Sequence, residues 1–127
     1  MSIDAAGSLY IGDSGLTPEW YDVEKTEGNR VRRIDASTGI ITTIAGDGVN
    51  GFGGDGGAAT AAMISVPIGF TVDQPGSFLF IDSGNNSVRR IDAATGIITT
   101  VAGGGVRHFA VDGGPPAAAG LHRSGFA

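Results

Sequence analysis

The residues best suited to chemistry in this sequence are aspartates that lie in glycine-rich stretches. Asp47, Asp55 and Asp112 share this context, and Asp55 and Asp112 occupy matched positions in two similar segments. Such carboxylates could bind calcium, because hard cations prefer oxygen ligands. Their spacing, however, fits neither the EF-hand loop nor the glycine-rich calcium nonapeptide. We therefore expect no metal site and predict that these carboxylates cap turns by accepting backbone N–H bonds.

A second set of polar residues flanks a recurring turn. Asp13 and Asp82 end strand-like runs, and Asn29 and Asn86 stand across the turn that follows each run. Asp and Asn side chains stabilise turns because they hydrogen-bond nearby backbone groups. The predicted structural turn network consists of Asp13, Asn29, Asp55, Asp82, Asn86 and Asp112.

An aromatic and acidic cluster is the best candidate for ligand binding. It contains the only tryptophan, Trp20, followed by Tyr21 and then by Asp22 and Glu24. Aromatic faces attract cations and aromatic side chains dominate many interfaces, so this cluster would suit a sugar, a cationic group or a peptide. The alternative is a surface loop in which Trp20 packs against its own sheet.

The two histidines do not form a metal-spaced pair. His122 lies just before a strand-like run and is kept as a candidate ligand-binding residue, with a surface role as the alternative. The chain has no Gly-x-Ser-x-Gly elbow, no phosphate-binding loop and no HExxH motif. We therefore predict no catalytic residue and no cofactor.

Charge and composition argue against several classes of partner. The net charge of −5 disfavours nucleic acid, whose phosphates require a basic surface. The basic residues Arg30, Arg32, Arg33, Arg89 and Arg90 lie in strand-like runs, so we expect each to pack along a sheet and pair with a carboxylate. No apolar run approaches the roughly 20 residues of a membrane span. The first ten residues lack the pattern of a signal peptide, and the absence of cysteine leaves the compartment open.

These candidate residues lie in or beside segments of a sequence repeat. Residues 31–57 recur at residues 88–114, an offset of 57, with 20 of 27 aligned positions identical. Self-similarity at a fixed period indicates a repeat architecture. The first copy carries an extra 12 residues, placed at residues 16–27, and this insertion contains the aromatic and acidic cluster.

Each unit consists of short runs rich in β-branched and aromatic residues, separated by turns that contain glycine. These runs predict strands at residues 8–13, 30–35, 40–45, 67–72, 77–82, 87–92 and 97–102. Four short antiparallel strands at this period are typical of β-propeller blades, whereas β-solenoid coils have shorter periods. The predicted fold is all-β, a β-propeller fragment of about two four-stranded antiparallel blades.

We predict one segment spanning residues 1–127. It divides into a partial blade without its innermost strand (1–45), a connector (46–66), a full blade (67–102), and a second connector with the stub of a further blade (103–127). Because successive turns of a meandering blade alternate between two ends, the insertion, both connectors and the turn at residues 83–86 should share one loop-rich rim. Loops on a rigid scaffold are the usual place for binding.

Four segments together resemble the NHL repeat. They are residues 7–15 (GSLYIGDSG), 29–46 (NRVRRIDASTGIITTIAG), 51–62 (GFGGDGGAATAA) and 67–73 (PIGFTVD). The likeness is greatest to the bacterial form with a long glycine-rich connector, also found in the propeller region of teneurins. Two departures are the insertion and Ser87, which stands where the repeat usually has Arg, as Arg30 does in the first copy.

The resemblance implies a propeller of several blades. Two blades cannot close a ring, so the expectation is either a piece of a longer protein or several copies that complete a ring together. It also favours an extracytoplasmic or secreted location. The predicted function is a binding or scaffold module for a protein, peptide or glycan. The alternative is part of a propeller enzyme, a lyase or a metal-dependent lactonase, whose active site needs further blades.

Overall fold

Two four-stranded antiparallel sheets make up the fold. The computed structural model describes residues 1–14, 28–73, 76–104, 113–118 and 121. The first sheet has the order β1 (Ser2–Ile3), β2 (Leu9–Asp13), β3 (Arg30–Ile34), β4 (Ile41–Ala45). The second has the order β5 (Pro67–Val72), β6 (Phe78–Asp82), β7 (Ser87–Ile91), β8 (Ile98–Ala102). The predicted all-β fold is thus confirmed at the level of two antiparallel four-stranded sheets.

The two sheets repeat each other in register as well as in strand order. Ile34 pairs with Ile41 in the first sheet, and Ile91 pairs with Ile98 in the second. The register shifts after Val31 in β3 and after Val88 in β7, so even this irregularity recurs. A residue of β3 or β4 and its counterpart 57 positions later therefore occupy the same place in their sheets. Residues of β2 and β6 correspond at an offset of 69, because the insertion lies between β2 and β3.

The innermost strand of the first sheet is present but short. The sequence predicts only the tail of this strand, followed by a turn, within residues 2–7. The structure has a two-residue strand there, in which Ser2 pairs with Tyr10 and Ile3 with Leu9, whereas β5 has six residues. The other strands begin or end within one residue of the predicted limits, because their glycine-containing turns mark the boundaries. Gly39 and Gly96 both adopt a φ of +70° in those turns.

Aromatic side chains join the two sheets. Tyr10 of β2 stacks on Phe78 of β6 with ring centroids 4.7 Å apart, and Phe70 of β5 lies 5.6 Å from the same ring. Phe80 is fully buried nearby. At Gly12 the sheets approach so closely that an added Cβ would lie 2.1 Å from the carbonyl oxygen of Pro67. The sequence therefore needs glycine in β2 at the point of closest contact.

The first connector covers the outer edge of the second sheet. It includes a 3-10 helix at Ala59–Ala61, where a helical turn was expected, and it buries Ala59, Ala62 and Ile64. Gly56 N donates to Ile98 O at 2.8 Å, and Ile98 N donates to Gly57 O at 3.0 Å. The connector thus pairs with β8 like an additional short strand. A matching 3-10 helix, Pro116–Ala118, lies in the second connector.

Hydrogen bonds that recur in both sheets fix the end opposite the connectors. Ser77 Oγ accepts from Ala93 N at 3.1 Å and from Arg90 Nη2 at 2.7 Å, and Ser8 has the same two kinds of partner in the first sheet. Asp92 caps the β7–β8 turn by accepting a hydrogen bond from the Thr95 amide. This bond is the main reason that the pKa of the Asp92 carboxyl lies below its ordinary value. The Ser8 and Ser77 contacts join the β1–β2 and β5–β6 turns to the β3–β4 and β7–β8 turns at this end of the sheets. Within the described residues no helix is long and apolar enough to cross a membrane.

Candidate functional site

Three separate loops meet at one end of the sheets, and we call this surface the connector rim. It is formed by residues 28–29, by the two ends of the first connector (46–53 and 62–66) and by residues 83–86. Asn29 and Asn86 stand at equivalent places in it, each just before a strand, and both have a φ of 50°. Asparagine tolerates this left-handed conformation better than most residues, so each turn can reverse tightly into the next strand.

Hydrogen bonds between the loops hold the connector rim together. Gly84 N donates to Ser65 O at 2.9 Å, and Asn85 Nδ2 donates to Gly51 O at 2.7 Å. Asn29 Oδ1 accepts from Val66 N at 3.3 Å, which joins the first sheet to the end of the connector. The turn at residues 83–86, the first connector and the segment before β3 therefore form one surface, as the strand connectivity predicts.

A buried ionic cluster lies directly beneath the connector rim. Arg89 and Asp82 are both fully buried, and Arg89 Nη1 donates to Asp82 Oδ2 at 3.0 Å. Asp82 also accepts from Ser65 N at 2.7 Å and from Asn85 Nδ2 at 2.8 Å. Burial raises the pKa of the Asp82 carboxyl above its ordinary value, and the three donors around it oppose that rise. The carboxylate is thus satisfied by the protein itself.

Arg89 also fastens the glycine-rich connector to the second sheet. Its Nη2 donates to Gly53 O at 3.1 Å and to Asp55 Oδ1 at 2.8 Å. Its guanidinium carbon lies 4.9 Å from the centroid of the Phe52 ring, which is a cation–π distance. The carboxylate of Asp55 therefore contacts an arginine, whereas we expected it to accept backbone N–H bonds. Asp47 does cap a turn, with Val49 N donating to its Oδ1 at 2.8 Å.

Repeat-equivalent residues differ in their surroundings. Asp82 is buried, whereas its counterpart Asp13 at the end of β2 is exposed. Arg89 is fully buried, whereas its counterpart Arg32 is only partly buried and makes no ion pair among the described residues. The difference arises because the first connector covers the second sheet, and no described segment covers the first sheet in the same way.

The predicted ligand-binding residues lie outside the described residues. They are Trp20, Tyr21, Asp22, Glu24 and His122, and the same holds for Asp112 of the turn network. The chain leaves the described part at Ser14, after β2, and returns at Gly28 in the connector rim.

Two grooves lie away from the connector rim. One, of about 440 Å³, is lined by residues that include Ile44, Ala59, Phe78 and Ile91. Within the described residues, no group of three or more His, Asp or Glu side chains is placed to hold a metal ion. The predicted pairing of Arg89 with a carboxylate is found, but no pattern in the sequence indicated that Phe52 and the first connector would contact this arginine.

The described residues define an all-β repeat protein with two equivalent antiparallel sheets. No protein-family model and no curated protein matches the sequence. The fold is similar to the crystal structure of a structural genomics protein of unknown function from Bacteroides thetaiotaomicron, with a TM-score of 0.65 and 24% sequence identity. The match covers 92% of this chain and 26% of that protein, so the chain spans about a quarter of its length. At this identity the similarity concerns the fold alone.

Proposed function

We propose that the two sheets are consecutive blades of an NHL-type β-propeller and that the segment is a binding or scaffold module. The connector rim would present the ligand-binding loops to a protein, peptide or glycan. The observation that carries this proposal is the joining of three sequence-distant loops at one end of two equivalent sheets, with Asn29 and Asn85 bonded to the connector. A rigid platform under variable loops is the common arrangement of binding proteins.

The composition of the insertion indicates which ligands to test first. Trp20 and Tyr21 are followed by the acids Asp22 and Glu24, and the whole chain has a net charge of −5. Aromatic faces and carboxylates both attract cations, so a lysine-containing peptide is favoured over an acidic one. A glycan remains a second ligand class, because sugars also stack on aromatic rings.

Fluorescence titration of the full chain tests this proposal directly. Trp20 is the only tryptophan, so the indole emission reports on the insertion alone. The probes are a lysine-rich peptide, a glutamate-rich peptide of equal length and a neutral oligosaccharide. We expect a saturable change with the lysine-rich peptide or with the oligosaccharide, and none with the glutamate-rich peptide.

Calorimetry with two variants supplies the control. Trp20→Ala should lower the affinity for the bound probe at least about tenfold, as expected of an aromatic hot spot. Thr99→Ala, at an exposed position of β8 away from the connector rim, should leave it unchanged. Absence of binding to all probes, or equal affinity of the Trp20→Ala variant and the parent, contradicts the proposal. The metal-dependent enzyme alternative predicts instead a stoichiometric metal in the complete propeller, with ligands that include residues of this segment, which elemental analysis of that protein would detect.

A further inference from the structure

The outer edges of the two sheets are equivalent in register but not in their contacts. Ile98 of β8 is fully buried under the first connector, whose Gly56 and Gly57 pair with its backbone. Its counterpart Ile41 in β4 is 48% exposed, and Ile40 beside it is 60% exposed. Within the described residues, nothing pairs with the outward-facing backbone of Ile41. An open strand edge with exposed isoleucines is a ready template for a further strand.

The structure also shows which kind of segment fits such an edge. The first connector leaves the first sheet with Gly46 N bonded to Ala59 O at 3.0 Å, and the second connector leaves the second sheet with Gly103 N bonded to Pro116 O at 3.0 Å. The second connector therefore starts out in the same way as the first. By the repeat offset, Gly113 occupies the position of Gly56.

We propose that the outer edge of β4 is the docking site for the second connector of another copy of this chain. Gly113 N of one copy would donate to Ile41 O of the next, and Ile41 N would donate to Gly114 O. The segment would thus add to the sheet as a short strand, and Ile41 would become as buried as Ile98. This inference rests on the backbone contacts at β8 and does not depend on ligand binding at the connector rim.

The contact between copies would be head to tail. Each copy would offer a connector at one side and an open β4 edge at the other, so the two surfaces in contact differ. Such heterologous contacts close into rings or continue as open filaments. The relation between neighbouring copies would repeat the relation between the two sheets of one chain.

One residue makes the second connector a weaker partner than the first. Ala59 N donates a third hydrogen bond to Gly96 O at 3.0 Å, but Pro116 stands at the equivalent position and has no N–H. Docking on β4 would therefore form two of these three bonds and leave Gly39 O without that donor. The substitution Pro116→Ala restores the donor and should tighten self-association about fivefold, the value of one backbone hydrogen bond.

Sedimentation combined with amide hydrogen exchange on the full chain tests the proposal. Ile98 serves as the internal reference, because its amide is bonded at every concentration. We expect the Ile41 amide to exchange rapidly in dilute solution and to become protected at concentrations where sedimentation shows assembly. Pro116→Ala should move both changes to lower concentration.

A matched variant removes the contact without disturbing the sheet. Ile41→Lys places a charge at the position that docking would bury, and Ile41 is 48% exposed in the single chain. It should abolish assembly while the Ile98 amide keeps its protection. The proposal is overturned if the chain stays monomeric at its highest soluble concentration, if it assembles while Ile41 remains unprotected, or if Ile41→Lys assembles as the parent does.

Discussion

The buried arginine of the second sheet makes a quantitative prediction, because the repeat provides its own control. Arg89→Met should destabilise the chain strongly, and Arg32→Met, the same change at the equivalent position of the first sheet, should not. Both substitutions keep much of the apolar volume of the side chain. They differ in that Arg89 binds a fully buried carboxylate and a connector, whereas Arg32 is only partly buried.

The magnitude follows from the contacts of the two residues. Removing Arg89 leaves Asp82 as a buried charge without its cationic partner, which costs about 3–5 kcal/mol. The lost bond to Asp55 adds at most about 1 kcal/mol, because the Asp55 side chain is 44% exposed and screened by water. Arg32→Met should cost about 1 kcal/mol or less, since a partly exposed side chain without an ion pair is involved. The expected difference is about 3 kcal/mol.

Urea unfolding followed by far-UV circular dichroism measures both free energies of unfolding. Repeating the measurement in an Asp82→Asn background separates charge from packing, because the loss caused by Arg89→Met should shrink once the carboxylate is gone. The same loss should shrink as the pH falls below the pKa of Asp82, whose protonated form carries no uncompensated charge. Equal losses for Arg89→Met and Arg32→Met, within about 0.5 kcal/mol, would refute this reasoning.

Three further predictions concern the sheets and their turns. Gly12→Ala should cost about 1–3 kcal/mol in urea unfolding, because its Cβ would lie 2.1 Å from Pro67 O, whereas Gly57→Ala, whose Cβ lies 3.4 Å from its nearest neighbour, should cost less. Ser77→Ala should cost about 1 kcal/mol, since the partly buried hydrogen bonds from the Ala93 amide and from Arg90 lose their common acceptor, and a loss below about 0.3 kcal/mol would contradict this role. The pKa of Asp92 is lowered by folding, so its stabilisation is complete above about pH 4 and is lost as the pH falls through the folded pKa. Asp92→Asn should therefore flatten the acid side of the stability–pH curve, and an unchanged slope would argue against the turn cap.

Local signals in the sequence were sufficient to predict the positions of the strands in both sheets. Alternating β-branched runs and turn glycines such as Gly39 predicted the strands to within about one residue at either end, because these features act over a few neighbouring positions. Only the tail of an innermost strand was predicted within residues 2–7, and the two-residue β1 is found there. That the two sheets are propeller blades, and that the repeat is of the NHL type, stays a proposal.

Long-range contacts were not predictable in the same way. Pairing of strand arginines with nearby carboxylates was predicted and is found at Arg33 with Asp35, two residues apart. The partner of Asp55, however, lies 34 residues away, and the carboxylate was expected to cap a turn. Arg32 and Arg89 also occupy equivalent positions in the repeat. The repeat predicts the same strand for both residues, but it does not predict which segment packs over each sheet. The ligand-binding predictions at Trp20 and His122 lie outside the described residues and stay predictions.

The first connector follows the first sheet in the chain and packs over the second sheet. Stabilisation between the units therefore runs in one direction along the chain. Each unit contributes to the stability of the unit after it, so the chain behaves as a one-dimensional array with nearest-neighbour coupling. The coupling is not symmetrical, because the following unit gains buried residues such as Ile98 and Arg89, whereas the preceding unit supplies loop residues. Deleting the first unit should therefore weaken the second more than deleting the second weakens the first. Unfolding of such an array would begin at the first sheet, which no described segment covers, and would continue to the second.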